Sequence, residues 1–397
     1  VNVRTGLDCC REDGFSILKG KRFALVAHPA SVDSALHHIL DLVLASGNGE
    51  LVRVFGPEHG VKGTAQDMEA VSAADGRIEE VSLYGDTEES LYPKPEQLSD
   101  LDLVVVDLQD VGARYYTYAQ TLYYLMEVAA KTETQVVVLD RPNPIGGLQI
   151  EGSGVSVSCR SFCGLFDLPN RHGLTIGELA KLMNAGFGEE ERELPALNCA
   201  LEVIPMQGWK REMYFDETGL PWVLPSPNMP TLDTAIVYPG TCLFEASGMS
   251  EARGTTKPFE LLGAPYVDAE KWITAFIDLG GAEESLTLRP CSFKPMYQKH
   301  EKQICEGLQL HVQDRKRFNA LKTGLLLVAA AKGCFEQFRW RSGSYEFIET
   351  VPAIDLLYGS EEFRQVLENT TSLEPLFATQ STFEQRFLEL RIPTLLY

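Results

Sequence analysis

Four short apolar runs, each passing straight into a polar stretch punctuated by proline or glycine, constrain this chain more than any other feature. Phe23–Ala27, Leu51–Phe55, Leu101–Asp107 and Val136–Leu139 are rich in β-branched residues and read as buried strands. Apolar residues at helical spacing over Val32–Leu44 and Tyr116–Ala130 predict helices after the first and third of them. Thr175 and Glu178 make a capping-box pattern that opens a further helix, running through Met183 and ending near Gly186. Strands alternating with helices in this way predict a mostly parallel sheet with crossover helices. The strands run into His28-Pro29-Ala30, Gly56–Gly60, Gln109–Arg114 and Asp140–Gly147. In open α/β sheets the carboxyl ends of the strands line the ligand crevice, so these four ends predict one common site.

The texture changes after residue 190. Five prolines between Pro221 and Pro239 are too many for a regular helix and predict an ordered crossing segment. From Tyr266 onward strand and helix patterns mix, with Leu308–Val312 strand-like and Phe318–Lys332 helical. The expected organisation is an α/β domain over residues 1–190, a crossing segment with site loops over 191–265, and a smaller α+β domain over 266–397 packed on the first.

Composition narrows the function. The chain has 397 residues, 44% hydrophobic, with a formal net charge of -21. Such a surface repels polyanions, which argues against a nucleic-acid partner. A small anionic substrate is still compatible, because a pocket needs only one or two well-placed arginines. No apolar stretch is long enough for a membrane span, and the N-terminus has no basic segment followed by an apolar one. Nine irregularly spaced cysteines read as reduced buried thiols, favouring the cytoplasm; a leader removed ahead of Val1 would instead make the protein periplasmic or secreted. The glycine-rich cradles for nucleotide phosphates, the Cys-x-x-Cys pairs of structural zinc, His-Glu-x-x-His and the serine nucleophile elbow are missing from the sequence.

The polar ends carry residues suited to acid–base work. Glu58 sits in the Pro/Gly-framed turn Gly56-Pro57-Glu58-His59-Gly60, where partial burial would keep its carboxyl protonated as an acid; a carboxylate that merely caps the backbone would suit the same turn. His59 beside it can tune Glu58, contact a ligand hydroxyl or be structural. After the third strand come Asp110 and Arg114, placed to pair with each other or meet ligand. Tyr115 and Tyr118 have the spacing of one helix face, and form either a wall for a ligand ring or core packing. Asp140, Arg141 and Asn143 project from a segment fixed by Pro142 and Pro144, the bland alternative being a salt bridge. Glu151 follows, then Arg171 and His172, the last two just before a helix N-terminus that could hold an anion. Asn228 lies in the Pro-rich turn Pro225–Pro230, and Glu251 and Arg253 in a polar loop. A metal held by His28, Glu58, His59 and Asp110 is a competing arrangement, but the reading adopted needs neither metal nor cofactor.

Seven of these segments, in this order, resemble one family. They are FGPEHG (55–60), SLYG (82–85), DLQDVGARYYTY (107–118), LDRPNPIGG (139–147), RHGLTIGELA (171–180), LPSPNMPTL (224–232) and RGTTKPFELLGAP (253–265). The chain is similar through almost its whole length to the exo-β-N-acetylmuramidases of the NamZ type, glycoside hydrolase family 171, formerly a domain of unknown function. The resemblance implies a Rossmann-like N-terminal domain, a smaller C-terminal domain, and an active-site cleft between them. It implies a cofactor-free hydrolase that removes non-reducing-terminal β-linked N-acetylmuramic acid from peptidoglycan-derived disaccharides or muropeptides. The glutamate of the family's GPEHG motif, its proposed catalytic acid, falls on Glu58. One departure is Ala252, where the family typically has glycine, which bears on the conformation of the loop carrying Glu251 and Arg253.

On this reading Glu58 protonates the glycosidic oxygen while Asp110, Asn143, Asn228 and tyrosines of the 115–118 segment hold the sugar. Arg114, Arg141, Arg171 and Arg253 are the candidate partners of the lactyl carboxylate. Asp110, Asp140, Glu151 and Glu251 are eligible as a second carboxylate. The rival functions are a non-catalytic muropeptide-binding protein and a metal-dependent hydrolase.

Overall fold

The computed structural model describes residues 2–58, 60–61, 78–188, 194–369 and 372–397. Its main sheet is parallel and six-stranded: β1 (Arg22–Ala27), β2 (Glu50–Gly56), β3 (Glu79–Ser82), β4 (Leu103–Asp107), β5 (Gln135–Leu139) and β6 (Leu201–Ile204), in the order β3-β2-β1-β4-β5-β6. This is the Rossmann-like order, with the topological switch between β1 and β4, where Ala27 stands beside Asp107. β6 lies past residue 190, so the sheet draws on the start of the crossing segment.

Strand residues alternate between two cores, as a period of two requires. Phe23, Leu25, Val54, Leu103, Val105 and Val137 face helices α1 (Gly6–Glu12) and α2 (Ile39–Ser46). Ala24, Val26, Phe55, Val104, Val106, Val136 and Val138 face α3 (Tyr118–Thr132) and α4 (Ile176–Ala185). The second core continues without a break into the C-terminal half, through Leu308, Leu325 and Leu356. That half comprises α5 (Leu232–Thr241), β7 (Leu261–Ala264), α6 (Ala269–Phe276), β8 (Leu286–Phe293), β9 (Cys305–Val312), α7 (Ala320–Cys334), α8 (Ala353–Tyr358), α9 (Glu362–Asn369) and α10 (Glu374–Leu390). Its antiparallel sheet has the order β7-β9-β8.

The capping box at Thr175 and Glu178 forms as expected and starts α4. Two helix expectations need correction. Val32–Leu44 is not one helix: Asp33 accepts the backbone N–H of Ala35 and of His37 at 2.9 and 2.8 Å, and this local alternative holds the chain in a loop until His38 caps α2. The prolines after Pro221 do not exclude helix throughout, since α5 contains Pro239, which gives up a single intrahelical bond, the one its missing N–H would make to the Ala235 carbonyl. α5 then meets α7 through glycines: a Cβ on Gly240 would lie 1.8 Å from the Ala320 carbonyl oxygen, and one on Gly324 would lie 2.2 Å from that of Gly240.

Candidate active site

β2 delivers Glu58. Gly60, at φ 73°, closes a turn by donating its N–H to the Pro57 carbonyl at 2.8 Å, leaving Glu58 half-buried beyond the strand end. Thr117 donates its hydroxyl to Glu58 Oε2 at 2.7 Å. Thr117 is the residue before α3, a position where threonine ordinarily caps the helix, yet it makes no capping bond. A local rule is broken and the hydroxyl serves the carboxyl group instead. His59 lies outside the described residues.

Glu58 opens into a pocket walled by both halves of the chain. Tyr115, Tyr116 and Thr117 come from the loop after β4, and Asn228 from the proline-rich turn. Tyr238, Glu245 and Arg253 come from α5 and the segments that follow it, and Tyr345 and Glu346 from the turn before α8. Tyr115 donates its hydroxyl to the Pro239 carbonyl, and its ring meets that of Tyr238 edge-on at 5.6 Å. Asn228 accepts the Tyr297 hydroxyl at Oδ1 (3.0 Å), while its buried Nδ2 has no acceptor among the described residues. That leaves an amide donor directed by the turn but unmatched by protein.

Glu245 accepts Arg253 at Oε1 (2.6 Å) and the Tyr345 hydroxyl at Oε2 (2.7 Å). Burial alone would push this carboxyl up, but the charge and hydrogen bonds of Arg253, with the Tyr345 hydroxyl, outweigh it and hold Glu245 below its ordinary range. Glu245 is thus a fixed anion that orients Arg253, whose guanidinium also lies over the Phe259 ring at 5.1 Å. Beyond them the pocket adjoins an open recess lined by Glu251, Lys299, Trp340 and Arg341. Lys299 donates to Glu251 at 2.7 Å. Arg341 lies over the Tyr345 ring at 5.0 Å and has no carboxylate at ion-pair distance among the described residues.

The remaining sequence candidates stand elsewhere. Arg114 is buried and donates to four backbone carbonyls, of Ser153, Leu168, Leu357 and Tyr358, so it ties α8 to the strand ends and does not line the pocket. Arg141 grips Asp107 with two hydrogen bonds, of 2.5 and 2.7 Å, which is the salt-bridge alternative. Arg171 pairs with Glu151 at 2.6 Å, and Glu151 also accepts Leu321 N–H at the start of α7. Asp140 accepts from Tyr397, Thr175, Gly177 and Arg141; burial pushes it up to about 6, against the pull of those bonds. Asn143 bridges Leu174 and Ile145 backbone. His172 accepts Leu174 N–H at Nδ1 and stands 3.3 Å from Asp110 at Nε2. Asp110 also accepts Gly112 N–H at 2.6 Å; its buried Oδ1 has no hydrogen-bond partner among the described residues. Tyr118 does not share a helix face with Tyr115, because α3 begins only at 118; it donates to the Pro225 carbonyl at 2.6 Å and meets the His28 ring edge-on. His28, considered above as a metal ligand, accepts Gln109 N–H at Nε2 (3.0 Å).

Of the candidates, then, Glu58, Tyr115, Asn228 and Arg253 are brought together in the pocket, and Glu251 lies in the adjoining recess. Tyr116, one of the tyrosines of the 115–118 segment, lines the pocket as well, while Thr117, Glu245, Tyr345 and Glu346 are pocket residues that the sequence reading did not select. The signal for Thr117 was its place within the 115–118 segment. Glu346 had none, because its neighbourhood lies in no recognised segment.

Comparison with known proteins agrees along the whole chain. Residues 23–233 match the family model described as "Exo-beta-N-acetylmuramidase NamZ, N-terminal", and residues 236–397 match its C-terminal counterpart. The peptidoglycan β-N-acetylmuramidase NamZ of Bacillus subtilis (strain 168) is 41% identical over 401 residues, covering 100% of this chain and 91% of that protein. Two crystal structures of DUF1343 family proteins from Bacteroides fragilis superimpose on it, with TM-scores of 0.87 at 32% identity and 0.76 at 27%. Each alignment covers 100% of this chain and 99% of the other.

Proposed function

Because the chain belongs to the NamZ family of exo-β-N-acetylmuramidases, we propose that the pocket around Glu58 is where this glycosidase cleaves the bond to a terminal N-acetylmuramic acid of a peptidoglycan fragment. The enzyme is a hydrolase of O-glycosidic bonds. Hydrolysis needs a proton at the departing oxygen and compensation for positive charge growing at the anomeric carbon. Glu58 supplies the proton. The observation that carries this reading is the Thr117 hydroxyl, withdrawn from helix capping to hold Glu58 Oε2 at the mouth of a pocket rich in carboxyl groups.

Tyr115, Tyr116 and Asn228 bound the sugar, with Asn228 Nδ2 offered to a hydroxyl or acetamido oxygen. Of the four arginines named for the lactyl carboxylate, Arg253 alone lines this pocket. Its charge, steadied by Glu245, selects muramic acid over glucosamine; a charge-assisted contact of this kind contributes roughly 1.5–3 kcal/mol.

The test is release of chromophore from a 4-nitrophenyl β-N-acetylmuraminide, with and without a chelator. Chromophore release by the parent that survives chelation, together with loss of MurNAc-GlcNAc cleavage in Glu58→Gln, supports the reading. A Glu58→Gln enzyme as active as its parent on MurNAc-GlcNAc would end it. Arg253→Ala should lower kcat/KM for the muraminide roughly 10- to 100-fold more than for the matching glucosaminide; equal losses would remove Arg253 from the specificity role.

A further inference from the structure

Among the described residues three carboxyl groups line the pocket: Glu58, bonded to Thr117; Glu245, bonded to Arg253 and Tyr345; and Glu346. The third, Glu346, sits in a backbone conformation that its residue type disfavours. Tyr345 and Ile348 exchange backbone hydrogen bonds of 2.9 and 3.0 Å, enclosing a two-residue turn made by Glu346 (φ 44°) and Phe347 (φ 69°). Turns with both central residues left-handed are ordinarily built from Asn-Gly or Gly-Gly, because a side chain there crowds its own backbone.

The surroundings enforce the conformation. The Phe347 ring packs edge-on against Tyr84 and Phe162, with centroids 6.4 and 6.5 Å away. On the other flank, Tyr345 is fixed by its hydroxyl bond to Glu245 and by Arg341 over its ring. Strain that survives in an over-determined setting marks a side chain held for a purpose. Here the product is a glutamate in the wall of the Glu58 pocket, its Oε2 shielded from solvent. Its charge reaches Cys163 in the same wall, whose thiol is pushed up to about 12 by burial first and by Glu346 next. None of the four carboxylates eligible from the sequence lines the pocket.

We propose that Glu346 is a second catalytic residue, its carboxylate facing the anomeric carbon and stabilising the positive charge that grows there as the glycosidic bond breaks. The role is electrostatic and holds whichever group attacks that carbon. It rests on the assignment of Glu58 as the acid, and the two stand or fall separately in one experiment.

Glu58→Gln and Glu346→Gln are each assayed on MurNAc-GlcNAc and on the 4-nitrophenyl muraminide, whose leaving group needs no proton. Glu58→Gln should lose the disaccharide but recover most of its activity on the nitrophenyl substrate; failure to recover counts against the acid and leaves Glu346 untouched. Glu346→Gln should lose roughly 100- to 1,000-fold in kcat on both substrates with KM changed less than about threefold. A loss confined to KM, or a kcat within about tenfold of the parent, overturns the proposal. Inhibitor binding gives a reading that does not depend on the variant folding. The parent enzyme should bind a cationic iminosugar of muramic configuration at least about tenfold more tightly than the neutral lactam of the same shape. Equal binding overturns the proposal, and a folded Glu346→Gln should lose the preference.

Discussion

At the carboxyl ends of β4 and β5, Asp107, Asp140, Arg141 and nearby Arg114, Glu151 and Arg171 are buried and aimed at one another or at backbone. In the opposite pocket wall, supplied by the proline-rich turn and the C-terminal half, Asn228, Glu245, Arg253 and Glu346 are the same kinds of residue, but they border open space. Both regions are dense in groups capable of chemistry. The difference lies in where the partners are: at the strand ends they are internal, so the polar groups brace the fold, whereas the opposite wall leaves capacity for a ligand. Density of polar motif residues thus locates the neighbourhood of a site, and partner geometry decides which members belong to it.

The comparison is broken most directly at two arginines. Arg114→Ala would leave three buried carbonyls without the donor they now have, and the fourth, that of Leu357, with Asn170 alone, and should destabilise the protein by roughly 3 kcal/mol or more in urea unfolding. Arg341→Ala removes a half-exposed guanidinium from a tyrosine face and should cost about 0.5–1 kcal/mol. Similar losses from the two would mean that the bracing and lining networks are not energetically distinct.

A second difference is readable against pH. Asp140 is buried at the strand end with its folded-state pKa near 6, above the ordinary carboxylate value. The folded protein therefore holds this proton more tightly than the unfolded chain does. The associated stability is present below about pH 4, is lost as pH rises through about 6, and amounts to something on the order of 3 kcal/mol. Asp140→Asn should flatten the fall in unfolding free energy between about pH 4 and 6. An unchanged slope would show that some other group carries it.

Much of the strand-end scaffold was legible in the sequence because short-range rules build it: β-branched runs made β1, β2, β4 and β5, and Thr175 with Glu178 made the start of α4. Glu58 was legible for the same reason, as a carboxyl in a Pro/Gly turn after a strand. The opposite wall was not. Glu346 reaches the pocket only because a strained turn packs Phe347 on Tyr84 and Phe162, residues far away in sequence. Nor could residue type separate Arg253 from Arg114, since that difference depends on whether acceptors from residues 153–168 and 357–358 converge on the guanidinium.

Thr117→Val tests a bond that joins scaffold to chemistry at Glu58. The hydroxyl fixes Glu58 Oε2 at 2.7 Å. Without it the carboxyl is less well placed against the departing oxygen, and kcat on MurNAc-GlcNAc should fall roughly tenfold with KM little changed. Because Thr117 makes no capping bond, the melting temperature should change little. A large drop in stability with kcat unchanged would reassign Thr117 to the scaffold.

The smallest expected effect concerns Ala252, in the loop that carries Glu251 and Arg253. Its φ of 62° is left-handed, a conformation that costs an L-residue roughly 1–2 kcal/mol and glycine almost nothing. Glycine, the residue that the family resemblance leads one to expect here, would relieve this strain. It would also remove a fully buried methyl group packed with Phe293 and Cys305, worth about 0.8 kcal/mol, and add about 0.4–1 kcal/mol of unfolded-state freedom. These contributions nearly cancel. Ala252→Gly should therefore change stability by less than about 1 kcal/mol and kcat/KM by less than about twofold, because Ser250 and Thr255 hold the loop through Ala252 backbone atoms that glycine keeps. Ala252→Val sharpens the point, since a β-branched residue tolerates that φ poorly. Its added methyl groups would force the backbone to move, carrying Arg253 away from Glu245 and with it the preference for muraminide over glucosaminide. If valine left that preference intact, the conformation at 252 would not be what places Arg253.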